Sequence, residues 1–158
     1  MAESSIFEGT FAALIIGNVI FFGVDNANGP TADLRVRQAM NIAINREAIK
    51  KVVMRDQSDP TGVIMPPFVN GWTPQLNAYP TPDIAAAKAL MADAGYANGF
   101  EITLNCPNDR YINDEAICQA AVGMMGQIGI KVTLDAKPKA RHFPLIKGGD
   151  SDFYMLGW

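Results

Sequence analysis

The sequence is poor in the side chains from which metal, redox and triad-type catalytic sites are built. It has 2 cysteines and 1 histidine in 158 residues, whereas zinc sites need three or four converging Cys, His or carboxylate ligands. Cys106 and Cys118 lie too far apart for the Cys-x-x-Cys spacing of thioredoxin-like redox sites. His142 is the one candidate base for a catalytic triad, and a structural or surface role is expected for it. We therefore predict no metal site, no cofactor and no enzymatic activity.

The sequence also lacks an excess of basic charge and any apolar run long enough to cross a membrane. Its net charge of −3 argues against nucleic-acid binding, which requires clustered Lys and Arg to neutralise phosphates. The longest apolar run, residues 11–24, is interrupted by Gly17 and Asn18 and is too short for a membrane span. Glu3 and Glu8 stand where a secretory signal would carry Lys or Arg, so a signal peptide is expected to be absent from this chain.

What is present is the composition of one globular domain. Hydrophobic residues make up 49% and charged residues 18% of the chain, enough to bury a core over residues 1–158. Apolar runs and alternating patterns predict strands, and apolar residues at helical spacing predict helices between them. The predicted strands are 19–24, 100–104, 130–134 and 153–158, and the predicted helices are 33–54, 81–94, 113–128 and 139–147.

The order of these elements predicts the fold class. Strand–helix–strand–helix–strand over residues 100–158 is typical of βαβ units in an α/β fold, with a mainly parallel or mixed sheet flanked by helices. At the ends of the helices, the sequence predicts Asp33, Thr81 and Asn113 as N-caps, with Pro82 at the first helical position. Residues 56–82 interrupt the pattern with a long irregular loop that holds 6 of the 10 prolines, and loops of this size are usually functional.

The segment CPNDRYINDEAIC, residues 106–118, concentrates hydrogen-bonding groups between the two thiols. It joins a predicted strand to the next helix, and ligands of such sheets bind beyond the carboxyl ends of the strands. Cys106 ends the strand and Cys118 falls in the second turn of the helix, facing back toward it. The pair fits a disulfide that would stabilise the fold by about 3 kcal/mol, and it also fits two buried free thiols, which are common in cores.

Four side chains, two of them in this loop, are candidates for contact with a solute. Arg110 and Tyr111 suit an anionic or polar solute, and the alternative is a solvated loop with Tyr111 folded onto the domain. Trp72 and Trp158 are either core residues or stacking surfaces exposed in a cleft. These alternatives stay open from the residues alone.

Four segments together resemble one known family. They are ADLRVRQAMNIAINREAIKKVV, YPTPDIAAAKALMADAGYANGFEITL, IGIKVTLD and DSDFYMLGW, which occur in this order between Val19 and Trp158. They resemble the extracellular solute-binding proteins of family 5, the peptide-, opine- and nickel-binding components of ABC importers. The version with CPNDRYINDEAIC and AKPKARHF is similar to a peptide- or opine-type subgroup.

The resemblance implies a periplasmic protein with two lobes of the class II type that captures a solute and delivers it to an inner-membrane ABC permease. Family members are longer, so the chain is expected to be most of the C-terminal lobe, with the N-terminal lobe missing. Trp158 matches a Trp that lines the ligand cleft, and Asn113 matches a position that reaches peptides. Asn108, Arg110 and Tyr111 are predicted to bind ligand as members of the same loop.

Further implications concern specificity. Where some family members place a basic residue three positions before the Trp, this sequence has Met155, which argues against selection of acidic side chains through that position. The alternative function is a stand-alone interaction or structural α/β domain whose polar loop faces a protein partner.

Overall fold

The computed structural model describes residues 6–15 and 18–158, with side chains described from Asn18 onward. Glu3, used in the argument against a secretory signal, lies outside the described residues. The strands are β1 (Ile6–Ile15), β2 (Asn18–Val24), β3 (Phe100–Pro107), β4 (Ile130–Lys137) and β5 (Phe153–Gly157). The helices are α1 (Leu34–Ala43), α2 (Arg46–Val52), α3 (Ile84–Asp93), α4 (Asp114–Gly126) and α5 (Lys139–Gly148), with a short 3-10 helix at Pro30–Ala32 before α1.

The five strands form one mixed sheet in the order β1-β2-β5-β3-β4. β3 runs parallel to β4 from Phe100↔Ile130 to Pro107↔Lys137 and parallel to β5 at Leu104↔Phe153 and Asn105↔Tyr154. β2 runs antiparallel to both β1 and β5. The predicted α/β class with a mixed sheet is confirmed, and β3, α4 and β4 form the predicted parallel unit.

The core lies on one face of the sheet. Buried side chains of β2, β3 and β5 pack there against α1, α3 and α4, for example Phe22, Leu104, Ile117 and Phe153. The β3–α4–β4 and β4–α5–β5 crossovers run in opposite directions along the sheet, so right-handed connections place α4 and α5 on opposite faces. Apolar side chains of α5 are accordingly missing from the core cluster of the described residues.

The predicted single helix over 33–54 is wrong, because two helices meet at Ile44 and Asn45. Ile44 takes an extended conformation at the end of α1, and the Asn45 side chain accepts a hydrogen bond from the backbone N–H of Ala48 at 2.9 Å. Ile44 is 1% exposed and continues the apolar stripe of α1. Hydrophobic periodicity therefore runs through the break and hides it, whereas the N-cap preference of Asn45 explains it.

Two more helix starts show how side-chain acceptors decide a boundary. Asp33 caps α1 as predicted, accepting from the Arg35 backbone N–H at 2.8 Å. The predicted cap at Thr81 is wrong, because the Asp83 carboxylate accepts from the Ala86 N–H at 2.9 Å and the helix begins at Ile84. Pro82 therefore precedes the cap instead of occupying the first helical position.

Residues 53–83 contain neither a helix nor a strand. A clamp at Asn77 organises this segment: its side-chain Oδ1 accepts from the Gly62 N–H at 3.1 Å and also bonds the Thr61 hydroxyl. Trp72 is partly buried within the segment, whereas Phe68 at its tip is 72% exposed. No helix in the described ranges is long and apolar enough to cross a membrane.

A glycine permits the close approach that begins the β3–β4 pair. Gly99 has φ 72°, and a Cβ there would lie 1.8 Å from the carbonyl oxygen of Gly129. We expect Gly99→Ala to lower the free energy of unfolding by about 3 kcal/mol or more, since it adds a backbone clash to left-handed strain. Gly95→Ala is the matched control, with φ 88° and nothing within 4 Å of a Cβ, and should cost about 1–2 kcal/mol. Equal losses in urea unfolding would contradict the role of the clash.

His142 fastens α5 to β5. It is fully buried, and its Nε2 lies 2.8 Å from the carbonyl oxygen of Met155. The pairing of β3 with β5 ends at Asn105 and Tyr154, so the Met155 carbonyl has no strand partner on that side. The imidazole takes this place, which agrees with the expected structural role of the histidine.

The buried imidazole makes stability depend on pH. Burial lowers the pKa of His142 below its ordinary 6.5, against the opposing effects of the Met155 carbonyl, Asp114 and Asp135, while the Lys137 charge adds to the lowering. The unfolded chain then binds the proton more readily, so the free energy of unfolding falls as pH drops through about 6.5. Urea unfolding at about pH 7.5 and about pH 5.5 measures this loss. His142→Gln should abolish the slope, and an unchanged slope in that variant would contradict this assignment.

Candidate functional site

The carboxyl ends of β3, β4 and β5 meet at one edge of the sheet. Because the three strands are parallel, their ends at Pro107, Lys137 and Gly157 point the same way. Polar side chains link β3 to its neighbours near this edge: Asn105 donates to the hydroxyl of Ser151, just before β5, at 2.8 Å and accepts from Nζ of Lys137, at the end of β4, at 3.3 Å. Loop 108–113 therefore leaves β3 from a rigid base at the edge where sheets of this class bind ligands.

Asp114 shapes loop 108–113. This side chain is 5% exposed, and its Oδ2 accepts from the backbone N–H groups of Arg110 and Tyr111, both at 3.0 Å. Its Oδ1 accepts from the Glu115 N–H at 2.9 Å. The carboxylate thus accepts hydrogen bonds from N–H groups of the loop and of the first turn of α4 that would otherwise have no protein partner.

The predicted capping role of Asn113 is wrong. Asn113 has the position of the N-cap, but its φ is 56° and its side chain makes no capping hydrogen bond. Its Nδ2 donates instead to the carbonyl oxygen of Val53 at 3.0 Å. Since Asn tolerates the left-handed region and Asp114 supplies the acceptor, Asn113 joins the loop to the end of α2.

The same loop contacts the end of β5 through Tyr111. The Gly157 N–H donates to the Tyr111 hydroxyl at 2.8 Å. Trp158 follows at once, and its backbone exchanges hydrogen bonds with Val19 at 2.9 and 2.8 Å. Trp158 is 77% exposed, and its backbone directly follows the residue that Tyr111 contacts.

Asn108 and Arg110 are exposed on the outer side of the loop. The Asn108 N–H donates to the carbonyl oxygen of Lys137 at 3.1 Å, which ties the loop to β4. The guanidinium carbon of Arg110 lies 5.0 Å from the centre of the Tyr111 ring, a cation–π contact. Among the described side chains, no carboxylate lies within ion-pair distance of Arg110, so its charge is available for an anion.

Two further hollows flank this edge. Asn113 lines a groove of about 530 Å³ together with Val53, Arg55 and Ile112, and Trp158 is not among its lining residues. On the other side, Val19 and the proline-rich segment enclose a small cavity of about 70 Å³. The structure thus brings Asn108, Arg110 and Tyr111 to the Trp158 edge, whereas the Asn113 side chain points toward α2.

Cys106 and Cys118 are joined by a disulfide, with Cα atoms 6.5 Å apart. Both residues are fully buried, and the Met155 sulfur lies 3.6 Å from Cys118 Sγ. The bridge connects the end of β3 to the second turn of α4, the two elements that loop 108–113 joins.

Sequence reasoning missed two residues that build this edge. The sequence places Asp114 in the first turn of the predicted helix, and only its burial and hydrogen bonds show that it organises the loop. Gly157 carried no signal beyond its place in the segment DSDFYMLGW. A Gly in a strand can mark a place where another group approaches the backbone closely. Gly157, next to the predicted cleft residue Trp158, fits that pattern, and Tyr111 is the group that approaches it.

A comparison with protein families shows to which family the chain belongs. Residues 14–158 match the family model described as bacterial extracellular solute-binding proteins, family 5 Middle. The chain belongs to this family. The family 5 resemblance drawn from the sequence is therefore confirmed, and the candidate site lies in a chain from a family that binds solutes.

Three similar proteins illustrate the family. The chain is 28% identical to the dipeptide-binding protein of Escherichia coli over 89% of this chain and 27% of the relative. Its fold matches AgaA from A. tumefacien in complex with agropinic acid, with a TM-score of 0.80 at 30% identity over 89% of this chain and 29% of that one. It also matches the dipeptide binding protein from Pseudoalteromonas sp. in complex with Met-Leu, with a TM-score of 0.78 at 26% identity over 89% of this chain and 28% of that one. The chain spans little more than a quarter of the length of these proteins.

Removal of the disulfide is expected to weaken the fold around the loop. The bridge closes a loop with a sequence separation of 12, so its loss should lower the free energy of unfolding by about 3 kcal/mol in the chain-entropy model. Urea unfolding of the Cys106→Ala/Cys118→Ala double variant measures the loss. Reduction of the wild-type chain should give the same change, and a double variant as stable as the oxidised wild type would contradict the prediction.

Proposed function

We propose that the chain is a solute-binding lobe of a periplasmic ABC-importer binding protein that captures peptides or opine-like small solutes. Membership in a family of extracellular solute-binding proteins supports this function. The names of the relatives support the solute class, because two are dipeptide-binding proteins and a third was solved with agropinic acid. The proposed role is binding without catalysis, and delivery to an inner-membrane permease.

The observation that carries the proposal is the contact of loop 108–113 with the end of β5. Through Tyr111 and Gly157, the exposed guanidinium of Arg110 and the exposed indole of Trp158 share one edge of the sheet. A guanidinium suits the carboxylate of a peptide or opine. An indole face suits its apolar part, so this pair fits a small amphipathic solute.

The five residues predicted from the sequence enter this proposal in different ways. Asn108, Arg110 and Trp158 have exposed side chains and face an incoming solute. Tyr111 and Asn113 remain part of the proposed binding loop, with polar atoms engaged by Gly157 and Val53. The cysteine bridge holds the loop between β3 and α4.

The proposed mechanism needs a second lobe. A single surface with an exposed indole excludes little water, whereas closure of an opposite N-terminal lobe would bury the solute and strengthen each polar contact. We propose that residues 1–158 form most of the C-terminal lobe of such a protein. The 27% share of the Escherichia coli relative that the chain covers supports this division.

One observation favours the alternative of a protein-interaction domain. Phe68, Val69 and Leu76 of the proline-rich segment are exposed at 72%, 38% and 54%. Large exposed apolar patches often mark sites of protein–protein contact, and these three side chains lie in one segment. Sedimentation of the chain over a range of concentrations separates the two functions. Self-association that Phe68→Ser abolishes would favour the interaction domain, whereas a chain that stays monomeric would favour solute binding.

The binding function can be tested on the 158-residue chain by nitrogen-15 NMR. Titration with di- and tripeptides and with opines should shift the Trp158 indole signal and the amides of residues 108–113, Gly157 and Val19. We expect dissociation constants above about 1 µM, because the chain offers only one side of the cleft. Trp158→Ala should weaken binding by roughly tenfold or more, as expected for loss of an aromatic anchor.

Trp72 provides the internal reference, since its indole nitrogen is buried and its signal should stay in place. Trp72→Phe is the matched control and should retain the affinity of the wild type. Submicromolar binding by this chain would contradict the need for a second lobe. Shifts confined to other regions, or none with any solute at millimolar concentration, would contradict the proposed site.

A further inference from the structure

Gly157 is held by a side chain where a strand would normally pair. Trp158 exchanges both backbone hydrogen bonds with Val19, so the N–H of its neighbour Gly157 points away from β2. β3 no longer pairs with β5 at this level, since its last partner on β5 is Tyr154. The Tyr111 hydroxyl accepts the Gly157 N–H at 2.8 Å and so replaces the missing strand.

The ring of Tyr111 lies directly against the backbone of Gly157. A Cβ at position 157 would lie 2.5 Å from Cε1 and 2.7 Å from Cζ of the ring. Real Cβ atoms do not approach so closely, and Ile20 Cδ1 on the other side would lie 2.9 Å away. Only glycine therefore allows this approach, and any other residue would push the ring and its loop outward.

Within the loop, Tyr111 also contacts Arg110, and both residues are held by Asp114. The Arg110 guanidinium stands over the Tyr111 ring at 5.0 Å, while Asp114 fixes the backbone N–H groups of both residues. Tyr111 therefore contacts the cation of the proposed site with its ring and the residue before the exposed indole with its hydroxyl. Burial raises the pKa of Tyr111 above its ordinary value, against the lowering effects of the Gly157 hydrogen bond and the Arg110 charge.

We propose that Tyr111 is a positioning residue that sets the distance between the Arg110 guanidinium and the Trp158 indole. This inference rests on the proposed function and deepens it, because it assigns Tyr111 a place behind the solute. It gives the chain a pre-formed half-site, in which the cation and the apolar surface are already aligned before a solute arrives. A pre-ordered site loses less conformational entropy on binding than a mobile loop.

The first test needs no solute. In Tyr111→Phe, which removes one oxygen, the Gly157 amide should exchange with solvent roughly tenfold faster, and the Trp158 indole signal should shift. In Tyr111→Leu, the Arg110 side-chain Nε–H should lose its order in nitrogen-15 relaxation, because the cation loses its ring. Gly157→Ala should produce both changes, since it displaces the ring.

Matched controls separate positioning from general damage. Tyr96→Phe removes a hydroxyl from a ring that packs against Phe100, away from the loop. Gly123→Ala adds a methyl group where nothing lies within 4 Å. Neither control should alter the Gly157, Trp158 or Arg110 signals. Unchanged Gly157 exchange in Tyr111→Phe, or an Arg110 side chain as ordered in Tyr111→Leu as in the wild type, would overturn the inference.

The second test uses a dipeptide with a free carboxylate and the same dipeptide with an amidated carboxyl end. The wild-type chain should prefer the carboxylate, and Tyr111→Leu should bring the ratio of the two affinities roughly to one, because Arg110 is no longer aligned. Equal weakening for both dipeptides would indicate a merely structural role and overturn the inference. If the wild-type chain binds neither, the proposed function fails, and the solute-free measurements still decide the role of Tyr111.

Discussion

The buried carboxylate of Asp114 is the interaction on which the candidate site depends. It accepts three backbone N–H groups, from Arg110, Tyr111 and Glu115, and so converts a polar loop into a fixed turn. Without this acceptor, the N–H groups of the loop and of the first turn of α4 would compete for water. With it, the loop has one shape, and Tyr111 meets Gly157 in one place. The disulfide between Cys106 and Cys118 then holds the two ends of this unit together.

Under the proposed function, the arrangement separates a fixed frame from the groups that would contact a solute. Its ordered parts are backbone and buried groups, namely Asp114, the Tyr111 hydroxyl and the Gly157 N–H. Its exposed parts are the guanidinium of Arg110 and the indole of Trp158, which differ in chemistry and can vary without changing the frame. Two solved proteins of similar fold were determined with ligands as different as Met-Leu and agropinic acid, so one fold can present different binding chemistry.

Much of the fold was predictable because periodicity reports burial. Alternation over residues 100–104 and 130–134, and the stripe from Ile117 to Ile128, gave the parallel β3–α4–β4 unit directly. The errors fall where a single side-chain acceptor outweighs the pattern, at Asn45, Asp83 and Asp114. The loop was predictable from its polar composition and its place after a strand. The direction of the Asn113 side chain was not, because its partner, the Val53 carbonyl, lies 60 positions away in sequence.

The short contact between β3 and β5 divides the sheet. Only two residue pairs join these strands, whereas β3 and β4 pair along their whole length and β5 pairs with β2 throughout. The sheet therefore consists of two cooperative blocks with a narrow seam between them. Side chains add to the backbone pairs at that seam: Tyr111, in the loop after β3, bonds the Gly157 amide, and Asn105 of β3 bonds Ser151 just before β5. A force that separates the two blocks would therefore act on the phenol of Tyr111 and the amide of Asn105 as well as on the two backbone pairs.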